Sequence, residues 1–282
     1  MGYMHIDNLY KNTDILLFKE CYALEKIHGT SAHITIELSR VIYASGGTKF
    51  ETFKNLFDEQ KLIDVHKEWF DCKVVIYGES YGGKEQGMSA TYGKEPKFIV
   101  FDVKVEDCWL DVVNAEDVAH KFGLEFVPYA KCNTQLEELN NYRDSSSVVA
   151  QRRGIKDWKM REGIVLRPLI EFTKSNGRRI IVKHKSDKFK ETKTPREVDP
   201  ESLRILEEAK AIAEEWVTPM RLNHILDKLG NPTEIEKTKD VISAMIEDVC
   251  REAKGEIIES RAAKSAIGKE AARLYKNHIS KV

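Results

Sequence analysis

In the stretch YALEKIHGTSAHITIEL, residues 22–38, two strand-like apolar runs flank Lys26, Ile27, His28 and Gly29. A turn between strands does not need a lysine. An amine can act as a nucleophile or hold an anion, and a glycine lets a phosphate or another backbone come close. An ordinary surface lysine at a turn is the alternative, and these four residues alone do not decide. Four other places bear on the choice. Glu79 ends the apolar run VIYGES and precedes the glycine-rich YGGKEQG. Phe101 and Asp102 follow the apolar FIV, and Glu162 heads EGIVLRP. Lys183 and Lys185, led in by Ile180, Ile181 and Val182, stand two apart and so share one face of a strand. Taken singly, each is as well read as a strand end or a solvated face. Together they put two carboxylates and three lysines around one sheet system.

These residues need strands to hold them, and the pattern supplies strands. AHITIEL and RVIYAS alternate and predict a hairpin. KVVIYGES, KFIVFDVKV, LEFVPYAKC, EGIVLRPLIEF and RRIIVKHKS are β-branched runs bounded by glycine or charge, hence strands. FETFKNLFDEQKLIDVHKEWF has apolar spacing near 3.6 and predicts one helix over 50–70. NAEDVAHKFG predicts a helix capped by Asn114 and closed by Gly123. The texture changes at Pro195–Pro200. Beyond it four segments read as helices, two of them opened by Asp199 and Thr218, each followed by a proline at the first helical position. An α+β domain over 1–196 followed by an all-helical domain over 197–282 is expected.

Composition narrows the classes. With 41% hydrophobic and 32% charged residues, the 282-residue chain reads as soluble and globular. No apolar run approaches the ~18 residues of a membrane helix. The first twenty residues have an early Asp7 and lack a signal-peptide layout, and Ile6 stands where a myristoylation signal wants Ser or Thr. Five widely spaced cysteines, with no CxxC, argue against a disulfide framework or a zinc site and point to a reducing cytoplasm. The net charge of −1 hides a local excess: residues 146–196 hold 15 Lys/Arg against 5 Asp/Glu. That block is either a solvated face or a groove for phosphates or nucleic acid. There is no P-loop, no GxGxxG and no HExxH. The apolar residues of the last 80 positions, Trp216 included, read as plain helix core.

In this order the motifs resemble the covalent nucleotidyltransferases, the superfamily of polynucleotide ligases and capping enzymes. Its succession is K-x-[DH]-G, a strand-end Glu, an aromatic-Asp pair, E-G-x-V and K-x-K. Here those are Lys26-Ile27-His28-Gly29, Glu79, Phe101-Asp102, Glu162-Gly163-Ile164-Val165 and Lys183-His184-Lys185. EKIHGT, with His28 in place of Asp, and IVKHKSDKF are most similar to the RNA ligase 2 family. DNA ligases and capping enzymes have K-x-D-G and a β-barrel OB domain after the last lysine motif, where this chain has helices.

The resemblance implies an α+β nucleotidyltransferase domain of ATP-grasp-like antiparallel sheets with flanking helices, then a helical C-terminal domain. It implies an ATP-dependent RNA ligase that stores AMP on Lys26, passes it to an RNA 5′-phosphate and seals with a 3′-hydroxyl. The attacking lysine must be neutral, whereas an ordinary lysine has a pKa of ~10.4, and nearby cations such as Lys183, Lys185 and Mg²⁺ (or Mn²⁺) lower it. The implied catalytic residues are Lys26, His28, Lys183 and Lys185. Glu25, Lys26, Ile27, Glu79, Phe101, Glu162, Lys183 and Lys185 would bind the nucleotide, with Glu79 on the ribose and Phe101 on adenine. Glu162 would also bind the metal. The family commonly has an arginine after the second strand, but here Ser45, Gly46 and Gly47 fill that place. Either Gly46 and Gly47 cradle phosphate with Lys49 adding charge, or Arg152, Arg153 or Arg167 takes over. The expected partners are ATP and RNA ends or nicked duplexes, with no membrane and a monomeric enzyme. Alternatives are another lysine-adenylating or guanylylating transferase of DNA-end or capping type, or a non-catalytic end-binding protein. The intact Lys26, Glu162, Lys183 and Lys185 argue against the last.

Overall fold

The computed structural model describes residues 2–174, 176–189 and 197–280. The chain divides into two compact units, Met1–Arg196 and Glu197–Val282. In the first unit the elements run β1 (Asp7–Asn8), β2 (Glu20–Lys26), β3 (Thr30–Glu37), β4 (Arg40–Ser45), α1 (Phe50–Lys54), α2 (Glu59–Trp69), β5 (Val74–Gly82) and α3 (Ser89–Tyr92). They continue with β6 (Pro96–Val105), β7 (Cys108–Trp109), α4 (Val112–Lys121), β8 (Tyr129–Asn133), α5 (Leu136–Arg143), α6 (Val148–Arg152), β9 (Gly163–Arg167) and β10 (Val182–Lys185).

Two five-stranded sheets result, in the orders β1-β10-β9-β2-β8 and β4-β3-β5-β6-β7. Every pairing is antiparallel except that of β1 with β10. The expected hairpin is β3–β4, with Ile34 opposite Tyr43. The two strands flanking Lys26-Ile27-His28-Gly29 do not pair with each other. β2 belongs to one sheet and β3 to the other, so this turn is the crossing between sheets.

One hydrophobic cluster joins Leu24 and Ile27 to Ile34, Ile76, Ile99 and Val103 of the second sheet and to Phe53, Leu62, Ala115 and Ala119 of the helices. Each fully buried Leu, Ile, Val or Phe among them contributes roughly 1.5–3 kcal/mol. The helix expected over 50–70 is two helices. Asp58 interrupts it by accepting from the Lys61 amide at 3.1 Å as the N-cap of α2, a use that competes with the helix interior. α4 likewise starts earlier than expected: Asp111, not Asn114, is the cap and accepts from the Asn114 amide at 3.0 Å. Of the strand expected over 124–132, β8 keeps only the end after Pro128, which has no N–H for a ladder.

The second unit comprises α7 (Pro200–Trp216), α8 (Pro219–Lys228), α9 (Thr238–Glu252) and α10 (Arg261–Ile279). Asp199 and Thr218 cap α7 and α8 with a proline at the start of each helix, as read from the sequence. Its core includes Leu222, Ile225, Met245, Ile267 and Tyr275. The buried Asp248 is satisfied by Arg221 at 2.6 Å, Lys228 at 3.2 Å and Arg251. No helix among the described residues is long and apolar enough to cross a membrane.

Candidate active site

Cross-strand register builds the site. Lys26, the last residue of β2, lies opposite Gly163 of β9, and Gly163 lies opposite Lys185 of β10. Two residues back along the strands, Leu24 meets Val165 and Val165 meets Lys183. Alternation therefore puts Lys26, Lys183 and Lys185 on one face of the sheet. Gly163 is required by the crowding between them. A Cβ there would lie 2.2 Å from the His184 carbonyl oxygen and 2.8 Å from Lys185 Cα, closer than real Cβ atoms come.

That close pairing seats Glu162 between the cations. Lys26 Nζ donates to Glu162 Oε2 at 2.9 Å, and Lys185 Nζ lies 3.1 Å from Oε1. His28 Nδ1 is 3.3 Å from Oε2, and the His28 ring meets Phe189 edge-on with centroids 5.2 Å apart. Burial pushes the Glu162 carboxyl up, but the charges and hydrogen bonds of Lys26 and Lys185 outweigh it and hold the group below the usual carboxylate range.

Gly29 explains the last letter of the turn. Its amide donates to Glu79 Oε1 at 3.1 Å, and a Cβ would strike the Ser80 carbonyl oxygen at 2.3 Å. The glycine thus lets the crossing segment lie directly on β5. Glu79 itself is pushed up to about 7, mainly by burial, with Lys26 opposing and the Glu162 charge adding to the rise.

Phe101 reaches the same pocket through a bulge. In the β5–β6 ladder Tyr77 pairs with Asp102 and Gly78 with Val100, so Phe101 is the extra residue. A bulge redirects side chains that strict alternation would send to opposite faces. Asp102 is fully buried. It accepts from Arg167 Nη1 at 3.0 Å, Arg179 Nη1 at 2.6 Å and the Tyr3 hydroxyl at 2.6 Å.

A pocket of about 450 Å³ runs between these groups; Lys26, Ile27, Glu79, Phe101 and Lys183 are among its lining residues. Its lining offers an aromatic ring, a carboxylate and lysines, groups that could meet a base, hydroxyls and phosphates. Among the described residues no three His, Cys, Asp or Glu side chains gather into a metal cage. A hard cation that keeps its waters needs one or two carboxylates plus phosphate oxygens, and Glu162 fits that minimal role.

Several expected residues have further partners within the fold. Glu25 lines the pocket, but its buried carboxylate accepts from the Ser147 hydroxyl at 2.5 Å and the Val148 amide at 2.9 Å, at the start of α6. Arg167 also lines the pocket, and its guanidinium is engaged by the fold. It is 1% exposed, and besides Asp102 it donates to the Leu110 carbonyl at 2.6 Å and to Glu171 at 2.8 Å. Arg152 donates to Glu125 at 3.1 Å; Arg153 pairs with the same carboxylate and donates to the Tyr81 hydroxyl at 2.7 Å. Gly46, Gly47 and Lys49 are exposed and stand outside the pocket lining. Three participants escape the motif reading: Tyr92, whose hydroxyl accepts from the His28 amide at 3.4 Å; Arg179; and the N-terminal segment Tyr3–Ile6, which lines the pocket. No short-range pattern marks them, since their partners lie far along the chain.

Comparison with known proteins follows the same residues. The model of the RNA ligase family matches residues 19–185. No curated protein sequence matches the chain. Among solved structures, an apo form of a Naegleria gruberi RNA ligase mutant superposes with a TM-score of 0.52 at 15% identity, covering 67% of this chain and 56% of that one. A mutant of the same ligase with AMP and Mn matches at 0.52 and 14% identity, covering 67% and 57%; the form with PPi matches at 0.51 and 14%, with the same coverage. The likeness is one of fold, and the chain spans little more than half the length of those proteins.

Proposed function

Because the family match covers more than half of its length, the chain belongs to the RNA ligase family, and we propose that it joins RNA 3′-hydroxyl and 5′-phosphate ends using ATP. The observation that carries the reading is Glu162 held between Lys26 at 2.9 Å and Lys185 at 3.1 Å, at the edge of a pocket furnished with Phe101 and Glu79.

Lys26 Nζ attacks the α-phosphorus of ATP. A P–N bond forms, the P–O bond to the β-phosphate breaks, and pyrophosphate leaves. Glu162, bonded to Lys26, aims the amine at the phosphorus, and the proton lost as the P–N bond forms leaves to solvent. Lys183 and Lys185 stabilise the charge that grows on the phosphate oxygens. An RNA 5′-phosphate oxygen then attacks the same phosphorus and frees Lys26. Finally the 3′-hydroxyl attacks the 5′-phosphorus, forms the phosphodiester and releases AMP. Phe101 gives adenine an aromatic face, and Glu79 accepts from the ribose hydroxyls. A divalent cation, Mg²⁺ or Mn²⁺, would sit against Glu162 and supply further positive charge to the phosphates. His28 orients phosphate or nucleic acid beside Glu162.

In this reading residues 1–196 are the adenylyltransferase domain and 197–282 a helical C-terminal domain, in a cytoplasmic monomer acting on RNA ends or nicked duplexes. Incubation with radiolabelled ATP and Mg²⁺, followed by a denaturing gel, tests it. A labelled band that is labile to acid and stable to base is the expected result. No band, or a band from GTP in preference to ATP, overturns it.

A further inference from the structure

The N-terminal segment is tied to one side of the pocket and closes on the other. Asp7 and Asn8 of β1 pair with Val182 and Lys183, and the Leu9 amide donates to the Lys183 carbonyl at 2.9 Å. Upstream of β1, Tyr3, Met4, His5 and Ile6 line the pocket. The segment ends at Phe101: the Tyr3 and Phe101 centroids are 4.8 Å apart with the planes at 74°. Tyr77 at 5.1 Å and Trp109 at 5.7 Å enclose the Tyr3 ring. Its hydroxyl donates to Asp102, the residue beside Phe101, and accepts from Arg179 Nη1 at 3.4 Å.

Phe101 needs such support. As the extra residue of a bulge it has no partner across the ladder, and it is only partly buried. A half-buried ring on an unpaired residue can tilt unless packing fixes it. An edge-to-face neighbour fixes the tilt, and such a pair is worth ~0.5–1.5 kcal/mol beyond burial. We propose that Tyr3 is a positioning residue for nucleotide binding: it holds the Phe101 ring at the angle a stacked purine requires. The proposal rests on the reading of Phe101 as the base platform.

The test uses the full chain and measures self-adenylation against ATP concentration. Tyr3→Leu keeps apolar bulk but loses the aromatic edge. It should raise the KM for ATP several-fold, up to about tenfold, the range of one lost aromatic pair, with the limiting rate within about threefold of wild type. Tyr3→Phe should restore KM to within about threefold, because Arg179 still satisfies Asp102 at 2.6 Å. In a Phe101→Ala background Tyr3→Leu should add nothing further, since a residue acting through another is silent once that other is gone. An unchanged or lowered KM in Tyr3→Leu overturns the proposal, as do additive effects in the double variant or loss of the fold in Tyr3→Leu. If the wild-type chain takes no label at all, it is the ligase reading beneath the proposal that fails.

Discussion

Lys26 and Glu162 touch, so substitutions at the two ends of that contact separate chemistry from architecture. Lys26→Ala should abolish covalent labelling by ATP yet still seal RNA that already carries a 5′-adenylate, because that step needs no amine; labelled protein from this variant would remove Lys26 from its role. Lys185→Ala removes a cation from Glu162 Oε1, and Lys183→Ala removes one lining the pocket. Each should slow adenylation by roughly 10²-fold or more, and arginine should rescue in part, since it keeps the charge but changes the geometry. Wild-type rates in both alanine variants would make the pair surface charge. Glu79 gives a pH test. Its carboxyl is raised from 4.5 to about 7, so the folded state holds the proton more tightly than the unfolded chain. Its contribution to stability is therefore greatest below pH 4.5, falls as the pH rises from 4.5 to about 7, and is level above that. Glu79→Gln keeps an acceptor for the Gly29 amide and escapes this loss. Denaturant titrations should show its stability advantage growing across that window to ~3 kcal/mol, while its affinity for ATP falls. A constant difference from pH 4.5 to 8 would contradict the assignment.

Elements decide whether these side chains meet, and here the sequence is legible in some places and opaque in others. The alternation of β3 and β4, the β-branched runs of β5 and β6 and the proline-led starts of α7 and α8 are local signals, and they read correctly. The turn at Lys26 reads locally as a link between neighbouring strands, because nothing nearby says that β2 will pair with β9 some 140 positions away. The bulge at Phe101 is equally hidden, since it is a mismatch between two strands rather than a property of one. Arg167 shows the same limit at a site residue: the sequence displays a cation in a basic block, while the fold encloses it with Asp102 and Glu171. Gly163 was visible as part of a motif, but its reason appears only in the packing of β9 on β10. Gly163→Ala should cost about 1–3 kcal/mol or more, because backbone atoms must move. It should also weaken adenylation beyond what stability explains, by shifting Glu162 away from Lys26. Thermal unfolding alongside single-turnover labelling measures both. An alanine variant with wild-type stability and rate would show that β9 and β10 can separate without harm to the site.

For the whole molecule the open matter is what residues 197–282 do. They carry none of the five motifs and hold 14 Lys/Arg against 17 Asp/Glu. Arg221, Lys264, Lys269 and Arg273 are cations of this unit that a strand opposite the joined ends would meet on the proposed reading. Side-chain pairing makes most of these poor candidates. Arg221 donates to Asp248 at 2.6 Å and to the Trp216 carbonyl at 2.9 Å, Lys264 lies 3.3 Å from Glu259, and Arg273 pairs with Glu270. Drawing an arginine out of the buried Asp248 cluster would leave a charge under-satisfied at a cost of several kcal/mol. Exposed pairs such as Lys264–Glu259 are worth little and could open to RNA. On the proposed reading, adenylation would use only the pocket of the first unit, whereas sealing would have to hold two ends. A chain ending at Arg196 should therefore still take label from ATP, after circular dichroism shows it folded, while failing to join a nicked duplex. In the full chain, Lys264→Ala should slow sealing without touching adenylation, and Arg221→Ala should act through stability, lowering the melting temperature. Nick sealing at the full-length rate by the shortened chain would leave the helical unit without a part in joining. Sealing lost in Arg221→Ala with its melting temperature unchanged would return that arginine to the RNA.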